Sequence, residues 1–104
     1  MALDLDNLTV IDNKAQQRYE IDLGNGEVAV AAYSVFAPGK IIFSHTEVPR
    51  AFAGQGVGEK LVREALEDAI RRQLSIIPLC PFVAAFIQRH PEYQPLVWPG
   101  FRSR

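Results

Sequence analysis

The chain has 104 residues, 48% hydrophobic, 10% aromatic and 22% charged, with a formal net charge of −1. That length suits one hydrophobic core, and the apolar fraction excludes disorder and low-complexity classes. Eleven basic residues against twelve acidic ones speak against a nucleic-acid footprint, which needs clustered positive charge.

Along the chain, Leu8–Ile11 is expected to be a first short strand, ended by Asp12-Asn13. Residues 17–23 alternate, with Tyr19, Ile21 and Leu23 apolar and Arg18, Glu20 and Asp22 polar, the pattern of a half-buried strand. Gly24-Asn25-Gly26 follows, and an Asn-Gly pair suits a tight hairpin. The next strand, Glu27 to Val35, is apolar enough to be covered on both faces. A turn at Ala37–Lys40 leads into a fourth strand over 41–48, closed by Pro49. The period then changes. Val57, Leu61, Val62, Ala65, Leu66, Ala69 and Ile70 line one face of a helix of about four turns. Its other face interleaves Lys60, Arg63, Arg71 and Arg72 with Glu59, Glu64, Glu67 and Asp68 and reads as solvated.

Ser75–Cys80 reads as a fifth strand. A second helix opens at Pro81-Phe82, carries Val83, Phe86 and Ile87 on one side, and stops near His90 because Pro91 disfavours helical geometry before it. Gln94 onward, with Pro95, Pro99 and Gly100, reads as tail. The order β-β-β-β-α-β-α predicts an α+β fold with a mixed, mostly antiparallel sheet. The strand–helix–strand crossover puts the fifth strand parallel to the fourth. Cys80 is the only cysteine, so no internal disulfide can form, and a lone thiol fits a reducing compartment. Met1–Asp4 has no basic leader and no apolar run nears the ~20 residues of a bilayer span. A cytoplasmic protein is expected, with no membrane partner.

Gly54-Gln55-Gly56-Val57-Gly58 lies between a strand and a helix. Three alternate glycines permit a sharp turn and close approach of a ligand, and the free amides of a helix N-terminus favour a phosphate. A dinucleotide fingerprint starting at Gly54 needs glycine at 59, where Glu59 stands, and a P-loop needs Lys after Gly58. Both fail. A plain tight turn into a helix stays open on these residues alone.

Val48-Pro49, the Gly54–Gly58 loop and Leu61-Val62 resemble motif A of the GCN5-related N-acetyltransferases. His45-Thr46-Glu47-Val48-Pro49, Pro78-Leu79-Cys80-Pro81-Phe82-Val83 and His90-Pro91-Glu92-Tyr93 resemble a subgroup of very short, single-domain members, the likeness running from about Tyr19 to Val97. The resemblance implies one domain over 1–104, with a core of about 8–97. It implies a small-molecule acyl-CoA partner (acetyl-CoA or CoA as substrate, no metal) and an amine or protein acceptor. Val48, Gly54, Gln55, Gly56, Val57, Gly58, Glu59 and Lys60 would hold the cofactor.

Three departures matter. Ala53 fills the usual Gln/Arg position of the loop. Phe86 stands near a tyrosine that other members use to protonate the leaving thiolate. Only Asn13–Gln16 joins the first two strands, where larger members place two helices, so an open acceptor side is implied. The resemblance also implies that the fourth and fifth strands splay to admit the pantetheine. Pro78, which donates no ladder hydrogen bond, suits such a gap or an edge strand equally.

Acyl transfer needs an amine without its proton, a polarised carbonyl and a proton for the leaving thiolate. His45 and Glu47 alternate on one strand face, opposite Thr46 and Val48, and either suits the base; imidazole is the side chain that ordinarily titrates nearest neutrality. Cys80, ahead of a helix N-terminus, suits acyl acceptance or proton donation, and a role at the pantetheine end requires its thiol to be reachable in the empty protein. His90 and Tyr93 read as a helix end and a packed aromatic. A CoA-binding module with little transferase activity is the competing reading.

Overall fold

The computed structural model describes residues 3–102. Its first half is organised by the Asn25-Gly26 turn, where both residues take positive φ, 55° and 79°. That pair of left-handed residues closes a two-residue hairpin between β2 (Arg18–Gly24) and β3 (Glu27–Phe36). β1 (Val10–Asn13) and β4 (Lys40–Glu47) pair antiparallel on either side. α1 (Val57–Arg71) then crosses to β5 (Ser75–Pro78), which lies parallel to β4 as expected, completing a sheet of order β1-β2-β3-β4-β5. α2 (Pro81–Arg89) and a single turn, α3 (Pro99–Arg102), follow.

One face of the sheet is closed. Tyr19, Ile21, Ala29, Ala31, Ile41 and Phe43 point to it and are buried under Leu61, Val62, Ala65, Leu66 and Ala69 of α1. α2 packs beside α1, the Arg63 guanidinium lying 5.2 Å from the Phe86 ring centre. Hydrogen bonds tie down the C-terminal end of α1. Tyr19 donates to Asp68 (2.6 Å), Tyr33 donates to Asp12 (2.5 Å), and Arg72 lies 3.5 Å from both carboxylates. Burial and the Asp12 carboxylate push the Tyr33 hydroxyl up to about 12. Burial acts to raise Asp68, but the Tyr19 hydroxyl and Arg71 outweigh it and hold that carboxyl below its ordinary value.

The other face is open: Arg18, Glu20, Val28, Val30, Ala32 and Ile42 are only half-buried, and His45 and Glu47 are exposed. β3 is therefore buried on one face, against the expectation of two. Cross-strand rows on this side are Ile11–Glu20–Val30–Glu47 and Asn13–Arg18–Ala32–His45.

Other differences from the sequence reading have local causes. β1 begins at Val10 because Leu5–Asn7 forms a 3-10 turn capped by Asp4. It runs on through Asp12-Asn13, because the chain turns at Lys14–Gln17 instead, with Asn13 Oδ1 accepting from Gln16 N–H and Gln17 at φ 55°. Ile70 is 38% exposed, having rotated past the edge of the apolar face. β5 stops at Pro78, where Leu79 N–H turns back to the Ile77 carbonyl (3.1 Å). The segment from Gln94 is no loose tail: Pro91–Leu96 is a 3-10 helix, Val97 bridges Ile76 in parallel, and Trp98 N–H donates to the Ile76 carbonyl.

Candidate functional site

The site forms where β4 leaves its partner. β4 and β5 pair from Lys40↔Ser75 to Phe43↔Pro78 and no further. Cys80 N–H still donates to the Phe43 carbonyl (2.9 Å), and beyond that bond the two strands part. Pro78 sits at the last pair of the last strand, so both meanings of a strand proline, gap and edge, hold. At the same level β4 carries a bulge: Tyr33 pairs with Phe43 but Ala32 with His45, leaving Ser44 as the extra residue. The bulge shifts the alternation by one. Thr46 thus turns to the helix side, opposite buried Ala31, while His45 and Glu47 share the open face. The sequence reading of that face is borne out.

Across the gap, the glycine loop enters α1. Gly54 and Gly56 take φ of 78° and 87°, with Gly56 as the helix N-cap. The first helical bond runs from Lys60 N–H to the Gly56 carbonyl (3.0 Å), so the amides of Gly56 to Glu59 precede any helical partner and point outward. Gly58 also serves the packing of the loop. A Cβ there would lie 2.8 Å from Phe82 Cζ and 3.3 Å from Val48 Cγ2, so this glycine lets α1 approach α2 and β4.

A cavity of about 510 Å³ opens over this loop, lined by Val48, Phe52, Ala53, Gly54, Gly56–Glu59 and Phe82. Of the residues expected to hold a cofactor, Val48, Gly54, Gly56, Val57, Gly58 and Glu59 line it. Gln55 reaches back toward the Ala51 carbonyl, and Lys60 pairs with Glu64 at 2.9 Å. Phe52 and Phe82 were missed. Phe82 had a signal, an apolar residue at the second position of a helix facing the gap, but apolar residues there more often pack than line.

Cys80 is the N-cap of α2, its Sγ 3.4 Å from Thr46 Oγ1, and it does not line the loop cavity. It is 3% exposed, so the expectation of a freely reachable thiol fails in this conformation; Thr46 stands against it. Phe86 is wholly buried, stacked 4.2 Å from the His90 ring, and no hydroxyl donor stands in its place. Tyr93 is buried and donates to Glu67 (2.7 Å), burial and that carboxylate raising its pKa. Both His90 and Tyr93 are packing residues. Among the described residues no group of His, Cys, Asp and Glu is arranged to hold a metal, and no helix is long and apolar enough to cross a membrane.

The family model described as "GCN5-related N-acetyl-transferase" matches residues 18–96. The chain belongs to that family. A GCN5-like protein of Staphylococcus aureus, solved by NMR, superposes with a TM-score of 0.67 at 29% identity, covering 88% of this chain and 89% of the other. Protein NATD1 of Danio rerio is 27% identical over 89 residues, 83% of this chain and 81% of that protein. The Homo sapiens protein of the same name is 24% identical over 85 residues, 81% and 75% of the two chains. In the fold Ala53 lines the loop cavity, Phe86 is buried, and only Lys14–Gln17 join β1 to β2.

Proposed function

We propose that this protein binds an acyl-CoA, as its family does, in the gap between β4 and β5, and transfers an acetyl group to an amine. The observation that carries the reading is the parting of the two strands beside a helix N-terminus whose amides are free. The loop amides of Gly54 to Glu59 would take the pyrophosphate, with the helix dipole adding to them. The open main chain of Ser44–Val48 would take the pantetheine amides, which need strand-like partners. When bound, acetyl-CoA supplies an activated carbonyl and a thiol leaving group.

The two faces of β4 then divide the proton work. His45 and Glu47, on the open side, accept the amine proton directly or through water. The N–C bond forms as the C–S bond breaks. The thiolate takes a proton on the helix side through the half-buried Thr46 hydroxyl, with the buried Cys80 thiol behind it. Backbone amides do most of the gripping, which accommodates Ala53. A protein that acts in the cytoplasm on a soluble donor fits this arrangement. The second reading, a CoA-binding module with little turnover, is favoured by one observation: Phe86 is a sealed core residue with no acid to offer.

Calorimetric titration with acetyl-CoA, CoA and ATP side by side tests the donor site. Gly56 is a poor place for a probe, because it sits at φ 87° with Leu5 Cδ1 3.1 Å from where a Cβ would lie. Gln55→Glu adds charge to the exposed loop without that strain and should weaken acetyl-CoA binding about three- to tenfold. Ala53→Arg should keep or tighten it. Equal heats for ATP and acetyl-CoA, or no heat for either, overturn the acyl-CoA site. A wild type that binds acetyl-CoA but acetylates nothing in a broad amine panel is the module.

A further inference from the structure

A second and larger concavity, about 820 Å³, lies on the open face of the sheet, and Val48 and Ala53 line both it and the loop cavity. Its floor is β3, with Val28 and Val30; its far wall is the chain leaving β4, Glu47 to Arg50. The floor is low because small side chains sit between longer ones. Val30 stands between Glu20 and Glu47, and Ala32 between Arg18 and His45, at about 4.8 Å per strand.

The charges around this trough fall into two kinds. Arg18 is engaged, its Nε 2.5 Å from Glu20 Oε2, which also accepts from Asn13 at 2.9 Å. The pairing with Arg18, against some burial, holds Glu20 below its ordinary range. Glu47, Glu27 and Arg50 also line the trough, and none of them makes an ion pair or side-chain hydrogen bond among the described residues. A carboxylate and a guanidinium, both uncommitted, thus stand three residues apart on one wall.

We propose that this trough is the acceptor site and that it selects an amine carrying an anionic group, an amino-acid-like zwitterion, with its nitrogen at Glu47 and its anionic end on Arg50. The inference rests on the acyl-transfer reading above. A guanidinium presents a planar pair of donors that matches a carboxylate or phosphate. A plain diamine would find Glu47 and Glu27 but would set a like charge against Arg50, and a simple alkylamine would leave Arg50 unused. The trough joins the loop cavity at Val48, so an amine held at Glu47 lies along the stretch of β4 that runs free of β5.

The test uses ω-amino acids of increasing chain length, the phosphomonoester of an amino alcohol, butylamine and putrescine. Binding is followed by amide NMR shifts in the protein with and without CoA, so the answer does not depend on turnover. The carboxylate or the phosphate compounds are expected to shift Val28, Val30 and Arg50, binding about tenfold tighter than butylamine or putrescine; which of them binds better identifies the anionic group. Arg50→Gln should remove that preference while leaving butylamine unchanged, and Arg50→Glu should turn it toward putrescine. Tighter binding of putrescine or butylamine to the wild type, shifts away from this trough, or a preference that survives Arg50→Gln overturns the proposal. Failure of acetyl-CoA to bind, with the zwitterion still seated at Arg50, would sink the acyl-transfer reading alone.

Discussion

The two halves of β4 behave as different structures. From Lys40 to Phe43 the strand is paired on both sides, and Ile41 and Phe43 are fully buried. From Ser44 to Glu47 it is paired only with β3, and three of the four residues are exposed. One strand thus anchors the core with its first half and leaves main-chain groups free with its second. Stability and binding are separable here because the bulge at Ser44 and the end of β5 at Pro78 fall at the same level. Substitutions in the first half should unfold the protein; those in the second should spare the fold and change what it binds.

The largest expected effect is Phe43→Ala, about 3–5 kcal/mol of lost stability from the cavity it leaves, read by chemical denaturation. Asp68→Ala, at the far end of α1, leaves the Tyr19 hydroxyl without its acceptor and should cost about 1–3 kcal/mol. Alkaline unfolding probes the same end. The folded state holds the Tyr33 proton up to about 12 against an ordinary value of 10.0. Its contribution is therefore complete below about pH 10 and disappears as pH climbs from about 10 to about 12. Tyr33→Phe should make that decline shallower, the Tyr19 and Tyr93 hydroxyls, also held above their ordinary value, keeping the rest of it, and an unchanged profile would break the assignment.

Smaller effects belong to the site half. Gly58→Ala overpacks against Phe82 and should cost about 1–3 kcal/mol, partly restored by Phe82→Ala because the clash is with the end of that ring. Thr46→Val should change stability by less than about 1 kcal/mol yet lower acyl transfer or CoA affinity. If Thr46→Val instead destabilises as much as Phe43→Ala, the division of β4 is wrong.

Much of this was legible in the chain itself. Alternation over residues 17–23 and the Asn25-Gly26 pair specify the first hairpin through short-range chemistry, and the spacing from Val57 to Ala69 specifies α1. The loop was legible as a candidate anion site, and the ligand proposed for it came only from the resemblance. What could not be read depends on contacts between distant segments. The bulge at Ser44 has no glycine or proline to mark it. Val97 and Trp98 dock on β5 through backbone bonds to Ile76 that no side-chain pattern announces. Gly58 reads as a ligand glycine and lines the loop cavity, but its close packing against Val48 and Phe82, which come from distant parts of the chain, has no local signal. The burial of Cys80 likewise follows from Thr46, which only the bulge turns toward it.

The central claim is that the gap beyond Phe43 and the amides of the glycine loop form one acyl-CoA site. Amide NMR on the full chain, titrated with acetyl-CoA, tests it directly. The account predicts saturable shifts at Gly54–Lys60 and at Ser44–Val48, with little change at Asn13, Asp68 and Arg72. Shifts confined to the apolar groove between α2 and the C-terminal segment, around Pro81, Ala85 and Phe101, or no shifts at all, would contradict it.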